Sequence, residues 1–440
     1  MMQKYKILLS FLFVSLVAAI FRITNLDLIE FKGDEAINLY LAARPVFGHS
    51  LPPGGTISSI GIVNPPLLNY ILFPFALIST NPKIVSLLIG LLNSVTIGLL
   101  YLVYRHYYGF KSALISCIFI ALSPWAIIYS RKVWAQDFIL PLMVPLILSV
   151  HKIVKEKKPR YWILYAFISL LLIQLHQPSL YFVAIVSLLI IVQQRKVSIK
   201  YSAIGIVLGL LPLIPYLIFQ LGNSCPACAS YTAASQRFSE NYDLILFFRP
   251  LQIMSQGGFR FILGEDVLTM ANSYPLLFSL RRIFYFEYLL IPLGGFLFLK
   301  QFPKLKILVW ICILLPAIYF VSKVVPHMHY FVTLIPFLAL LLGTAFAWLI
   351  KNKHLAIKYS SIVVLVLLIS ISIWYNLVFF DLLRNKQEIK GDYGTIFAVT
   401  EKRTNQIYDK YKDLPEYEEI LLNSYVPKDF YKTFNPPQSL

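Results

Sequence analysis

Residues 64–79 read NPPLLNYILFPFALIS. Whether this stretch crosses a membrane decides how the whole chain is threaded. It is apolar, but Pro65, Pro66 and Pro74 interrupt it. The unbroken run falls short of the roughly 20 residues that cross a bilayer as a helix. It therefore reads as an interfacial helix. Charge tests that reading, because cytoplasmic loops should carry the Lys and Arg. If 64–79 does not cross, one set of alternate loops is 1–6, 105–111, 152–160, 195–200, 300–306 and 351–358. These very short stretches hold 18 of the 39 basic residues, and only Glu156 of the 21 acidic ones. If 64–79 did cross, every later loop would flip and the pattern would fail.

Around that stretch the chain reads as an all-α polytopic membrane protein. Of its 440 residues 58% are hydrophobic and only 14% are charged, with mean hydropathy +0.70. A soluble domain has roughly 45–50% apolar and about 25% charged residues. The apolar runs predict about 11 spans, near 7–23, 84–104, 111–130, 138–152, 161–176, 179–194, 201–220, 284–299, 306–322, 329–350 and 357–379. The first follows Lys4 and Lys6, as in a signal peptide, but Ala18 and Ala19 make a poor cleavage site, so it is expected to be retained. The net charge of +18 lies in short clusters between apolar runs, which speaks against nucleic acid as a partner.

Three regions are then expected outside: a loop at 24–83, a loop at 221–283 and the tail. Residues 1–380 read as one transmembrane domain and 381–440 as a small extracytoplasmic region. Four cysteines are too few for a disulfide scaffold. Cys225-Pro226-Ala227-Cys228, in the second outer loop, reads as a local disulfide.

The residues able to do chemistry gather on the outer side. The first loop carries Glu30-Phe31-Lys32-Gly33-Asp34-Glu35, followed by a short amphipathic helix from Ala36. Asp34 and Glu35 sit where a helix dipole favours negative charge. The next outer loop is Tyr129-Ser130-Arg131-Lys132-Val133-Trp134-Ala135-Gln136-Asp137. Arg131 and Lys132 read either as interfacial anchors or as ligands of an anion. Asp137 stands at the mouth of a span, where an ionised group usually has a partner. His327-Met328-His329-Tyr330 closes another outer turn; two histidines alone do not make a metal site. His176, before Gln177-Pro178, reads as capping or packing. P-loop, dinucleotide, HExxH and GxSxG signatures are absent. Carboxylates facing cations suit a transfer in which a carboxylate takes a proton and cations hold a phosphate leaving group.

In their order, these residues resemble the polyprenyl-phosphate-sugar-dependent glycosyltransferases of the C-type superfamily. The nearest are the dolichyl-phosphate-mannose protein mannosyltransferases and the aminoarabinose lipid A transferases. Four pieces carry the resemblance: Gly33-Asp34-Glu35-Ala36; Asn64-Pro65-Pro66-Leu67-Leu68-Asn69-Tyr70; a Ser-Pro span ending in Ser130-Arg131 and leading to Asp137; and His329-Tyr330-Phe331 before Pro336-Phe337-Leu338-Ala339-Leu340. The resemblance implies a C-type architecture, and inverting transfer of a sugar from a polyprenyl-phosphate donor to an acceptor hydroxyl on the extracytoplasmic side. It implies Asp34 as base, Glu35 in support of base or acceptor, and Asp137 as a second acidic position for acceptor or metal. Arg131, Lys132 and His329 would face the donor phosphate. Many relatives carry Arg where this chain has His329. The resemblance gives no cofactor as certain, and a divalent metal stays open. The expected partners are the lipid-linked donor, a protein, lipid or glycan acceptor, and membrane lipids. Oligosaccharyltransferases share the superfamily, and Gly391-Asp392-Tyr393-Gly394 echoes only the end of their motif. The alternatives are a transporter or flippase of lipid-linked precursors, and an enzyme like an O-antigen polymerase or ligase. A transporter should place charge deep within its spans.

Overall fold

The computed structural model describes residues 2–58, 63–222, 242–411 and 413–427. Cys225 and Cys228 lie outside them. Every one of the eleven apolar runs is helical. Seven helices are long and apolar enough to cross a membrane: Pro82–Tyr108, Ala135–Val154, Ile199–Gly222, Pro275–Gln301, Pro303–Ser322, Met328–Leu349 and Leu355–Lys386. Four other expected spans are shorter apolar helices, at Tyr5–Ile20, Phe110–Leu122, Tyr161–Leu175 and Ser179–Gln194. Isolated bridges are the only β structure among the described residues. The stretch that opened the sequence reading forms a helix over Leu67–Ile78, twelve residues long and too short to span.

The helix Ile335–Leu349 is buried along nearly its whole length and forms the centre of the bundle. Its neighbours approach through small residues, the usual device of helix pairs in lipid. A Cβ on Gly294 would lie 1.9 Å from the Leu341 carbonyl oxygen, and one on Gly343 2.2 Å from Ser116 Oγ.

One expected span is broken, and the break matters. The run 111–130 ends as a helix at Leu122, and a short helix Pro124–Ile128 follows. Pro124 has no N–H to give the Ile120 carbonyl, so carbonyls near the turn need other donors. Arg22, fully buried at the end of the first span, supplies them. Its guanidinium donates to the carbonyls of Ile120, Ala121 and Ala126 at 3.3, 2.9 and 3.1 Å. Gln256 and Asn376 both donate to the Leu122 carbonyl at 2.9 Å. The break turns the chain into the loop 129–137.

The tail does not stand apart from the first loop. After the 32-residue helix Leu355–Lys386 the chain returns to pair with residues 29–31. Phe31 N–H donates to the Thr395 carbonyl at 3.1 Å, and Phe397 N–H to the Ile29 carbonyl at 2.8 Å. Tyr393 donates its hydroxyl to the Leu28 carbonyl. Gly394, at φ +74°, passes over Lys32, whose Nζ would lie 2.9 Å from any Cβ there. Helices Phe397–Tyr411 and Tyr417–Ser424 follow. Phe31, fully buried, meets Phe397 and Tyr425 edge-on, with centroids 5.3 and 5.6 Å away.

Phe31→Ala should therefore cost about 3–5 kcal/mol. It is expected to lower the melting temperature and to open residues 397–427 to protease. An unchanged melting temperature and digest would mean that the tail does not depend on this contact.

Candidate active site

The helix Gly33–Ala43 starts where the first loop turns back toward the bundle. Glu35 is its third residue, and its Oε2 accepts the Lys32 N–H at 3.1 Å. This bond fixes the helix start. It also holds Glu35, fully buried, with Oε1 3.1 Å from Lys132 Nζ. Lys132 is buried too and reaches Glu30 as its second partner. Glu30 in turn pairs with Lys32 at 2.7 Å. Two carboxylates and two ammoniums thus lock the first loop to the loop 129–137. Burial pushes the Glu30 carboxyl up to about 7, with Lys132 and Lys32 holding it down and Glu35 adding to the rise. Burial alone would lower the Lys132 ammonium, but Glu30 and Glu35 beside it push it upward. The Lys132 ammonium also lies 4.2 Å from the Trp134 ring centroid.

Asp34 is in a different position from its neighbour. It points from the first turn of the helix into a hollow, and its carboxylate has neither an ion pair nor a hydrogen bond among the described residues. Crowding by the protein, then the Glu35 charge, raises its pKa above the usual carboxylate range, against the pull of Lys132 and Lys32. The hollow encloses about 230 Å³. Asn38, one helical turn beyond Asp34, shares its wall. So do Trp134 and Gln136 from the loop 129–137, Gln174 and His176 from the end of the helix Tyr161–Leu175, and His327, His329 and Tyr330. The His327 and His329 rings stack at 5.4 Å with planes 5° apart, and Trp134 lies 5.6 Å from His329. Two backbone bonds close the side. Gly55 N–H donates to the Asn64 carbonyl at 2.7 Å, and Asn64 N–H to the Thr56 carbonyl at 2.9 Å. This places the Asn64-Pro65-Pro66 stretch at the hollow.

The expected site residues therefore separate. Asp34 and His329 line the hollow, whereas Glu35 and Lys132 are not in its lining and pair with each other. Arg131 and Asp137, expected at its mouth, are turned into the protein. The Arg131 guanidinium donates to the carbonyls of Phe21 and Asn25 at 2.7 and 2.5 Å and lies over the Phe380 ring. A buried guanidinium needs acceptors, and the end of the first span supplies them. Asp137, wholly buried, accepts the N–H groups of Trp134 and Lys132 at 2.8 and 3.4 Å. It bends the loop that aims Lys132. Asn93 holds the Asp137 carbonyl at 2.9 Å from below.

Sequence reasoning gave no role to Glu30 or Lys32, although both stand beside Asp34 in the quoted stretch. It also passed over Asn38, Gln136 and Gln174, uncharged residues with no motif to mark them. His176 was expected to cap or pack. Its Nδ1 does lie 3.2 Å from Ser179 Oγ, and the ring also faces the hollow. Asp392, from the tail, lies near the same charges. Burial raises its carboxyl against the pull of His327, Lys32, Lys132 and Arg249. Among the described residues no group of three or more His, Cys, Asp or Glu could hold a metal ion.

The bundle, with its broken span, is similar in fold to C-type glycosyltransferases. The model of the dolichyl-phosphate-mannose-protein mannosyltransferase family matches residues 63–219, which hold the Asn-Pro-Pro stretch, the loop 129–137 and Gln174–Pro178. Among solved structures, ArnT from Cupriavidus metallidurans bound to undecaprenyl phosphate is similar at 13% identity with a TM-score of 0.59, over 95% of this chain and 85% of that one. The Archaeoglobus fulgidus oligosaccharyltransferase, in complex with zinc and sulfate, is similar at 14% identity and TM-score 0.53, over 97% of this chain but only 59% of its own. Its apo form is similar at 13% identity and TM-score 0.53, over 99% of this chain and 62% of that one. No curated protein matches the sequence. The resemblance to the C-type family stands, and the chain has the fold of a multi-pass membrane protein.

Lys132→Met would leave Glu30 and Glu35 buried without their shared counter-ion. A loss of about 3–5 kcal/mol is expected, read as a lower melting temperature in detergent. Adding Glu30→Gln and Glu35→Gln should recover part of it. If the single variant were as stable as the parent, Lys132 would not be the pin between the two loops.

Proposed function

We propose that this chain is a membrane glycosyltransferase. It takes a sugar from a polyprenyl-phosphate-linked donor and passes it to an acceptor hydroxyl on the extracytoplasmic side, with inversion. One observation carries the reading. Asp34 presents an unpaired carboxylate to a hollow that His327 and His329 also line, while the carboxylate beside it is fixed to a buried lysine. An anchored carboxylate next to a free one is the arrangement a general base needs, and a pKa raised toward neutrality suits that task. The fold relation adds weight, since one similar structure holds undecaprenyl phosphate.

The reaction is a single in-line displacement. Asp34 takes the proton of the acceptor hydroxyl. The acceptor oxygen bonds to the anomeric carbon while the bond from that carbon to the phosphate oxygen breaks. The electron pair leaves on the lipid phosphate, which lies against His327 and His329. Glu35 and Glu30 keep Lys132 in place, and Arg131 and Asp137 shape the loop that carries it. The sidedness rests on the charge of the loops: the short loops rich in Lys and Arg face the cytoplasm, and the hollow lies at the other end of the spans.

Asp34→Asn should reduce transfer by about 10²–10⁴-fold. Its melting temperature should not fall, because a carboxyl whose folded pKa is raised is a cost to the folded state once it ionises. In the parent protein the rate should drop as pH falls through the Asp34 pKa, on an acid limb lying above the ordinary aspartate range. The measurement is release of polyprenyl phosphate from a radiolabelled polyprenyl-phosphate sugar by purified protein. Full activity in the Asn variant would remove Asp34 as the base.

A further inference from the structure

We propose that one wall of the hollow recognises the hydroxyl groups of the donor sugar through Asn38 and Gln174; this rests on the transferase reading. The Asn38 amide nitrogen donates to the Val133 carbonyl at 3.2 Å. The Gln174 amide nitrogen donates to the carbonyls of Gly209 and Leu170 at 2.6 and 3.2 Å. These bonds fix which way each amide is turned, so the remaining atom of each is a carbonyl oxygen. Neither oxygen has a hydrogen-bond partner among the described residues. Asn38 is 1% exposed and Gln174 6%, and both line the hollow. An acceptor left unpaired at such depth is costly, and a donor that reaches it recovers the cost.

The ligand chemistry follows from the type of atom. Carbonyl oxygens only accept, and Asp34, on the same helix face as Asn38, does the same when ionised. A phosphate at physiological pH is itself an acceptor and gains nothing from this wall. A sugar ring brings several O–H donors. The hollow thus offers two kinds of group: acceptors on Asn38 and Gln174 for the sugar hydroxyls, and the histidine pair for the phosphate. Trp134 shares the lining. A sugar held by these acceptors lies in the hollow that Asp34 faces.

The test uses the full chain in nanodiscs and two kinds of lipid: polyprenyl phosphate, and its mannosyl, glucosyl and arabinosyl esters. The wild type should bind at least one ester more tightly than polyprenyl phosphate. Asn38→Ala and Gln174→Met should each weaken that ester roughly 10-fold while leaving binding of the sugar-free lipid unchanged. Equal weakening for both lipids, or none for either, overturns the proposal. Because a variant could fail to fold and lose both lipids, the wild type is also tested with deoxy forms of the preferred ester. At least one should bind about 10-fold less well; uniform binding of all deoxy forms overturns the proposal. A wild type that binds neither lipid defeats the transferase reading itself, whereas a wild type that binds the ester regardless of its hydroxyls defeats only the sugar wall.

Discussion

The arrangement of the face that bears the hollow hangs on one buried ammonium. Lys132 is inserted between Glu30 and Glu35, and those two carboxylates come from the loop after the first span while Lys132 comes from the loop after the third. Charges of this kind are retained in a low-dielectric setting only when they are paired. Pulling the two loops apart would leave carboxylates and ammonium stranded, so the loops stay together. Asp34 benefits from that constraint without taking part in it. Its neighbour is fixed from behind, and its own carboxylate is left to face the hollow.

Several features that look unrelated serve the same constraint. The Ser123-Pro124 break lets the chain turn into the loop that bears Lys132, and Arg22 compensates for the backbone bonds that the proline removes. Asp137 ties the loop to itself through two backbone N–H groups. Arg131 ties it to the end of the first span. The tail then crosses the first loop, with Gly394 lying against Lys32 and Tyr393 bonded to the Leu28 carbonyl. The site is thus assembled from segments more than 300 residues apart in sequence, held by polar contacts rather than by one continuous element.

Much of this was legible in the sequence. Eleven apolar runs, Pro74 and the distribution of Lys and Arg were enough to foresee the bundle and the short helix at 67–78, because hydropathy and chain length are local properties. Asp34 and Glu35 were visible because two carboxylates after a first span are unusual. What local reading could not supply was the direction of each side chain. Arg131, Lys132 and Asp137 lie within seven residues and look alike as candidates. Only the folded chain shows that the first is satisfied by carbonyls, the third by N–H groups, and the second by carboxylates. Asn38 and Gln174 left no trace because an uncharged amide is notable only once its partners are counted. The Ser-Pro pair at 123–124 was noticed, yet the span at 111–130 was read as continuous because the apolar run goes on through the proline.

The account turns on a lipid phosphate and a sugar lying in the hollow that Asp34 faces. A cryo-electron microscopy structure of the full chain in a nanodisc with a polyprenyl-phosphate sugar tests this most directly. The account predicts the phosphate in contact with His327 and His329, and the anomeric carbon beside the Asp34 carboxylate. A phosphate bound at another surface of the bundle, with the Asp34 hollow holding no part of the lipid, would contradict it.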